Sequence, residues 1–171
     1  MPGILLYRTG NRQIKNSFDT DDNDKGERYM TVRFYEEVED SLLKFAVIIA
    51  RTEGKYVFCK HKSRETLEVP GGHREEGETI LAAAKRELYE ETGALDYRIE
   101  PVCVYSAASD PDGEETFGML YYAEVEAFEK ELHSEIEKIV IMEECPERWT
   151  YPEIQPKLLA EAKRRGLYAG S

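Results

Sequence analysis

From residue 30 onward the chain is built of short apolar runs whose period changes along its length. Thr31-Val32-Arg33-Phe34-Tyr35 alternates loosely and predicts a strand. Residues 43–50 form a nearly continuous apolar run, the pattern of a strand covered on both faces. Gly54 marks a turn, and Tyr56-Val57-Phe58-Cys59 reads as the hairpin partner. Leu67-Glu68-Val69 predicts a further short strand, stopped by Pro70-Gly71-Gly72, which reads as a breaker. Between Thr79 and Thr92 the period becomes helical: Thr79 can cap the start, Ala82-Ala83-Ala84 favours the interior, and Gly93 can end the helix. Strands are predicted over 97–105, 117–125 and 139–142, with a loop at 109–113 between the first two, and a last helix over about 153–165. A mixed sheet with few helices is an α/β or α+β sandwich, expected as one domain over 29–171. Residues 1–28 carry no apolar period, and Asp19 to Gly26 is polar and acidic. A solvated, poorly packed arm is expected there. A calcium loop is rejected because Met30 stands where its twelfth-position glutamate belongs.

Charge narrows the partners. The 171 residues hold 23 Lys and Arg against 35 Asp and Glu, a formal charge of −12. That balance argues against polymeric nucleic acid, whose binding rests on cationic phosphate contacts. It leaves a free nucleotide open, because a divalent ion can neutralise phosphate locally. No apolar run is long enough to span a membrane and no secretory leader is evident, so no membrane partner and a cytoplasmic location are expected. Cys59, Cys103 and Cys145 contain no paired spacing; Cys59 and Cys103, in apolar stretches, are expected to be buried, reduced thiols.

The predicted helix changes character along one face. Ile80, Ala83, Ala84, Glu87, Glu90 and Glu91 share it, so a stripe suited to packing on a sheet turns acidic in its last turns. Carboxylates that close repel one another, lose hydration when enclosed, and lie near the negative end of the helix dipole. A hard divalent cation would relieve all three, and magnesium in particular is shared between carboxylates and substrate phosphates. A solvated acidic patch is the plain alternative. Gly71-Gly72 ahead of the helix, where backbone can approach a metal or phosphate, favours the metal.

These residues belong to a longer pattern, G-x5-E-x7-R-E-U-x-E-E-x-G-U with U aliphatic, written here by Gly72, Glu78, Arg86, Glu87, Leu88, Glu90, Glu91, Gly93 and Ala94. The pattern resembles the signature box of the Nudix hydrolases; Ala94 is smaller than the usual last residue, a mild departure. The resemblance implies an α/β/α sandwich with a mixed central sheet, and attack of water on a phosphorus of a nucleoside diphosphate linked to another group. It implies Glu87, Glu90 and Glu91 as ligands of Mg2+, with Mn2+ as the alternative ion, the Gly72 carbonyl as a further ligand, Arg86 as the residue orienting carboxylates, and Leu88 in the core. The general base in this family is a box glutamate such as Glu90 or a glutamate in a later loop; Glu135 is preferred, ahead of Glu137, Glu114 and Glu115.

Substrate contacts are assigned to Arg64 and His61, within the basic cluster Lys60, His61, Lys62 and Arg64, and to Glu115. Trp149-Thr150-Tyr151-Pro152 reads either as a base-stacking edge or, preferably, as a core or capping segment. Subgroup markers thin out here: Ser109 stands where ADP-ribose enzymes place a proline, Asp110-Pro111-Asp112 where dinucleoside polyphosphate enzymes place a tyrosine, and the coenzyme A marker is absent. A nucleoside triphosphate, intact or oxidised as for 8-oxo-dGTP diphosphatases, is the expected small-molecule substrate. The competing readings are an ADP-ribose or nucleotide-sugar pyrophosphatase, a non-catalytic nucleotide sensor, and an mRNA-processing enzyme that the net charge disfavours. A monomer or homodimer is expected.

Overall fold

The computed structural model describes residues 29–109 and 113–167. The N-terminal arm, the marker window Asp110 to Asp112 and the last residues of the expected domain lie outside that range. The chain runs β1 (Met30–Tyr35), a 3-10 turn (Asp40–Leu42), β2 (Leu43–Thr52), β3 (Lys55–His61), β4 (Gly71–His73), α1 (Ile80–Thr92), β5 (Ala94–Ser109), β6 (Thr116–Phe128), β7 (Ile136–Met142) and α2 (Gln155–Arg164). One seven-stranded sheet has the order β1-β5-β6-β2-β3-β7, with β4 also paired to β2. β2 and β6 are parallel and the other pairs antiparallel, so the sheet is mixed.

The two faces follow the period-2 alternation of the central strands. Ala46, Ile48 and Ala50 of β2, with Tyr121, Ala123 and Val125 of β6, pack under Ala83, Ala84 and Leu88 of α1. Ile49, Leu120 and Tyr122 face the other way and pack with Leu158, Leu159 and Ala162 of α2. Helices on opposite faces of one sheet make the expected α/β/α sandwich. Among the described residues no helix is long and apolar enough to cross a membrane.

Near its end β2 pairs with β3, from Ala50↔Val57 to Thr52↔Lys55; at its start it pairs with β4, from Phe45↔His73 to Val47↔Gly71. β3 and β4 thus diverge from the same side of β2. The segment between them is tied to β3 at Cys59 and Glu68, whose backbones exchange bonds of 2.8 and 3.1 Å. The last turns of α1 sit over this fork.

The fork corrects one sequence expectation. Gly71-Gly72 does not break the sheet but begins a strand. A Cβ on Gly71 would stand 2.6 Å from the Ala46 carbonyl oxygen and 3.0 Å from Val47 Cα. Here glycine serves close backbone approach, which a sequence cannot tell from a turn. Leu67 to Val69, expected as a strand, makes only isolated bridges, to Cys59 and to Trp149. β5 runs past its predicted ends and carries Pro101, which sits at a register shift where a missing N–H is tolerated.

Candidate active site

Local signals fix α1 where the carboxylates are needed. Thr79 Oγ1 accepts from the Ala82 N–H at 3.1 Å, and Gly93 ends the helix in the left-handed conformation with φ 73°. Ala83, Ala84 and Leu88 are fully buried, which turns Glu87 and Glu91, one helical turn apart, toward the fork.

Glu91 points inward. Its Oε1 accepts from the Gly71 N–H at 3.3 Å, while Oε2 is buried with no donor in reach among the described residues. Burial, and then the charges of Glu87 and Glu68, push its carboxyl well above the ordinary range, against the single backbone bond from Gly71. Glu87 lies against Gly72: a Cβ there would come within 2.5 Å of Glu87 Cδ. Glu90 sits at the rim, its side chain 47% exposed.

Arg86 organises this group. Nε and Nη2 grip the two oxygens of Glu78 at 2.7 and 3.1 Å, and Nη2 also reaches the His73 carbonyl at 2.9 Å. Nη1 donates to Glu87 at 2.7 Å and to Glu90 at 3.4 Å. Hydrogen bonding to Arg86 holds the Glu78 carboxyl down to about 2. Arg86 therefore ties the loop after β4 to the helix and fixes two box carboxylates at once.

Would a divalent ion suit these residues? Two observations favour it: a buried carboxylate oxygen that meets no donor among the described residues, and a second carboxylate drawn against a side-chain-free glycine. Among the described residues no three His, Cys, Asp or Glu side chains converge into a closed ligand set. Magnesium does not require one, since it keeps several waters and is bound by one or two carboxylates plus substrate phosphates. The residues fit an ion held by Glu87 and Glu91, with Glu90 at the rim; the Gly72 backbone, expected to offer its carbonyl, is paired with Ala46 of β2.

The remaining predicted residues fall in two places. The β3–β7 pairing sets His61 beside Glu135, Nε2 to Oε2 3.7 Å, with the Glu135 side chain 89% exposed. Glu137, the other late-loop candidate, is held by Lys60 at 2.6 Å. Lys62 donates to the Ser134 carbonyl, so much of the basic cluster ties β3 to the segment before β7. Arg64 binds Glu68 at 3.1 Å. Glu115 stands apart from these: its Oε1 accepts from Tyr35 at 2.7 Å, Ser106 at 2.8 Å and Arg33 at 3.0 Å. Burial raises its carboxyl, but the three donors together bring it below the ordinary value. Its partners belong to β1 and β5, which marks it as a tie across the sheet. Trp149 packs edge-on to Phe58 at 5.4 Å, the core role preferred from sequence. Cys59 and Cys103 are buried free thiols as expected, and Cys145 is exposed.

Sequence reasoning missed Glu68. It is 7% exposed, and its charge acts on both Glu91 and Cys59. The only available signal was an acidic residue inside an otherwise apolar triplet.

A sheet carrying a capped helix whose acidic end closes over a strand fork defines a Nudix-type hydrolase. The NUDIX domain family model matches residues 41–167, and the chain belongs to that family. Among solved structures it is similar to the Bacillus subtilis pyrophosphohydrolase BsRppH, with 26% identity, a TM-score of 0.66, and coverage of 80% of this chain and 92% of that one. It shares the fold of the NUDIX domain of Shewanella oneidensis NrtR, solved with ADP ribose, at 17% identity, TM-score 0.56, and coverage of 72% and 87%. The same holds for a MutT NUDIX hydrolase from Burkholderia pseudomallei at 20% identity, TM-score 0.53, and coverage of 68% and 95%. No curated protein sequence matches.

Proposed function

We propose that this enzyme hydrolyses, with a divalent metal ion, a phosphoanhydride bond in a nucleoside diphosphate linked to another group, and that a nucleoside triphosphate is the preferred substrate. One observation carries the metal dependence: the buried Oε2 of Glu91 beside Glu87, which meets no donor among the described residues. When bound, the ion supplies charge neutralisation on the diphosphate. The protein's own share is to hold the carboxylates through Arg86 and Gly71 and to place Glu135, the proposed base, where the segment before β7 meets His61. The pyrophosphohydrolase described for the Bacillus subtilis neighbour agrees with this reaction class. The triphosphate preference rests on the missing subgroup markers, of which Ser109 is the one in the described range.

The test is phosphate and pyrophosphate release over a panel of nucleoside triphosphates, including oxidised ones, ADP-ribose and nucleotide sugars, with Mg2+, Mn2+ or chelator. Turnover of triphosphates with either ion and silence with chelator is expected. Silence throughout, with nucleotide still raising Tm, would establish a sensor instead. A preference for ADP-ribose or a nucleotide sugar would overturn the substrate choice alone.

Glu135→Gln should lower kcat by roughly a hundredfold, the lower end of what a general base contributes, while leaving the Mg2+ concentration at half-maximal rate unchanged. An unaltered kcat would move the base elsewhere. Glu137 would be a poor second choice, since it is already engaged by Lys60.

A further inference from the structure

We infer that Glu68 is a positioning residue for Arg64, and that Glu68 and Tyr151 together hold Arg64 as a phosphate-binding cation at the edge of the carboxylate cluster. The inference rests on the reaction proposed above and adds two residues to it, Glu68 and Tyr151, with a defined job for each.

Glu68 sits on an unusually well anchored piece of chain. On one side its backbone exchanges two bonds with Cys59. On the other, Leu67 donates to the Arg148 carbonyl at 3.0 Å and accepts from Thr150 at 2.9 Å. Above and below, Thr66 bonds Thr150 at 2.8 Å and the Val69 N–H donates to Gln155 Oε1 at 3.0 Å. A side chain on so rigid a segment can serve as a fixed support.

The Glu68 carboxylate is otherwise expensive. Only 9% of its side chain is exposed, and its charge bears on Glu91, whose neighbourhood already holds Glu87. A third carboxylate in that place is adverse unless it is paired. Its partner is the Arg64 guanidinium, Nη1 to Oε2 3.1 Å. The same Nη1 lies 3.4 Å from the Tyr151 hydroxyl, and the guanidinium stands 5.9 Å from the Tyr151 ring centroid. Tyr151 is itself placed by the chain just before α2, where its carbonyl accepts from Gln155 at 3.0 Å.

An arginine held this way loses little further side-chain freedom on meeting an anion. Its side chain is still 29% exposed. A diphosphate drawn to Glu87 and Glu91 through a divalent ion therefore has a pre-oriented cation one carboxylate away. Electrostatic tolerance of Glu68 beside Glu91 and orientation of Arg64 are two consequences of one ion pair.

The experiment is a double-mutant cycle on the full-length protein with Arg64→Ala, Glu68→Gln, both together, and Tyr151→Phe. It reads kcat, KM for a nucleoside triphosphate, the Mg2+ half-saturation and Tm. Arg64→Ala should raise KM roughly tenfold, the size of a lost charge-assisted bond, with kcat little changed. Glu68→Gln should raise KM less, and should add nothing further once Arg64 is gone; Tyr151→Phe should behave like Glu68→Gln. Additive effects on KM would overturn the inference. So would a rise in Mg2+ half-saturation for Glu68→Gln in the Arg64→Ala background, which would make Glu68 a metal ligand. If Glu68→Gln fails to fold, the Tyr151→Phe and Arg64→Ala pair carries the same cycle, and additivity there is equally fatal. Absence of wild-type turnover on every substrate would instead defeat the functional reading. In that case the cycle is read by calorimetric binding of inorganic pyrophosphate with Mg2+: coupling supports the positioning role and additivity ends it.

Discussion

Replacing Glu91 by glutamine should reduce turnover by about three orders of magnitude while leaving the protein folded. The side chain keeps its shape, and its remaining oxygen can still accept from the Gly71 N–H. What disappears is a charge at a buried oxygen that no donor among the described residues reaches. A thousandfold loss corresponds to about 4 kcal/mol of transition-state stabilisation, the scale expected when a metal ion's hold on a phosphoryl oxygen is lost. Retention of most of wild-type kcat would refute the assignment of Glu91 as a ligand.

The same substitution should change the pH dependence of stability in chelator. Burial, with the charges of Glu87 and Glu68, raises the folded-state pKa of Glu91 above its ordinary value of 4.5. An acid shifted upward destabilises the fold in its charged form. The penalty is absent below the ordinary value, grows as pH rises toward the folded-state pKa, and persists above it. Metal-free wild type should therefore lose Tm across that interval, and Glu91→Gln should lack this contribution. Mg2+ should raise the Tm of wild type at neutral pH and do little for the variant. Thermal melts with chelator and with Mg2+ at several pH values check both statements.

How much of this was legible in the sequence depended on how local the determining contacts are. α1 was readable because its cap, its small-residue face and its terminating glycine all lie within fifteen residues or so of one another, and Thr79 and Gly93 do what their types suggest. Glu87, Glu90 and Glu91 were readable as a group because helical spacing alone puts all three on one face. That Glu90 stays at the rim while Glu87 and Glu91 turn inward depends on the sheet beneath and on Arg86. Glu68 was not legible. A strand reading turns the charged residue of Leu67-Glu68-Val69 outward, and the cover on that side is the far end of α1 together with Cys59. The tie that Glu115 makes was not legible for a similar reason: it follows a turn glycine closely, yet two of its three donors, Arg33 and Tyr35, come from β1 some eighty positions earlier. α2 begins at Gln155, slightly later than expected, with Pro156 in its first turn where a missing N–H is harmless.

Gly71 and Gly72 are neighbours with opposite duties, and alanine at each should separate stability from catalysis. At Gly71 the new methyl would meet backbone: the Ala46 carbonyl oxygen at 2.6 Å and Val47 Cα at 3.0 Å. Neither atom can move without parting β4 from the central strand. Gly71→Ala should therefore cost about 2 kcal/mol, seen as a fall of roughly 5 °C in Tm, in line with overpacking of a tight contact. At Gly72 the nearest atoms the methyl meets are the end of the Glu87 side chain, with Cδ at 2.5 Å. That carboxylate can swing aside at little cost to the fold, but doing so abandons its bond from Arg86 Nη1 and its place beside Glu91. Gly72→Ala should keep Tm within about 2 °C of wild type, as for substitutions that spare the core. It should lower kcat by roughly a hundredfold and raise the Mg2+ requirement, the scale seen when groups supporting a metal site are disturbed. Melting curves and Mg2+ titrations of the two variants, side by side, test the contrast. Equal losses of stability would mean that both glycines serve only the sheet. Full activity in Gly72→Ala would mean that the position of Glu87 against that backbone does not matter to the reaction, and would leave Glu91 to hold the ion without it.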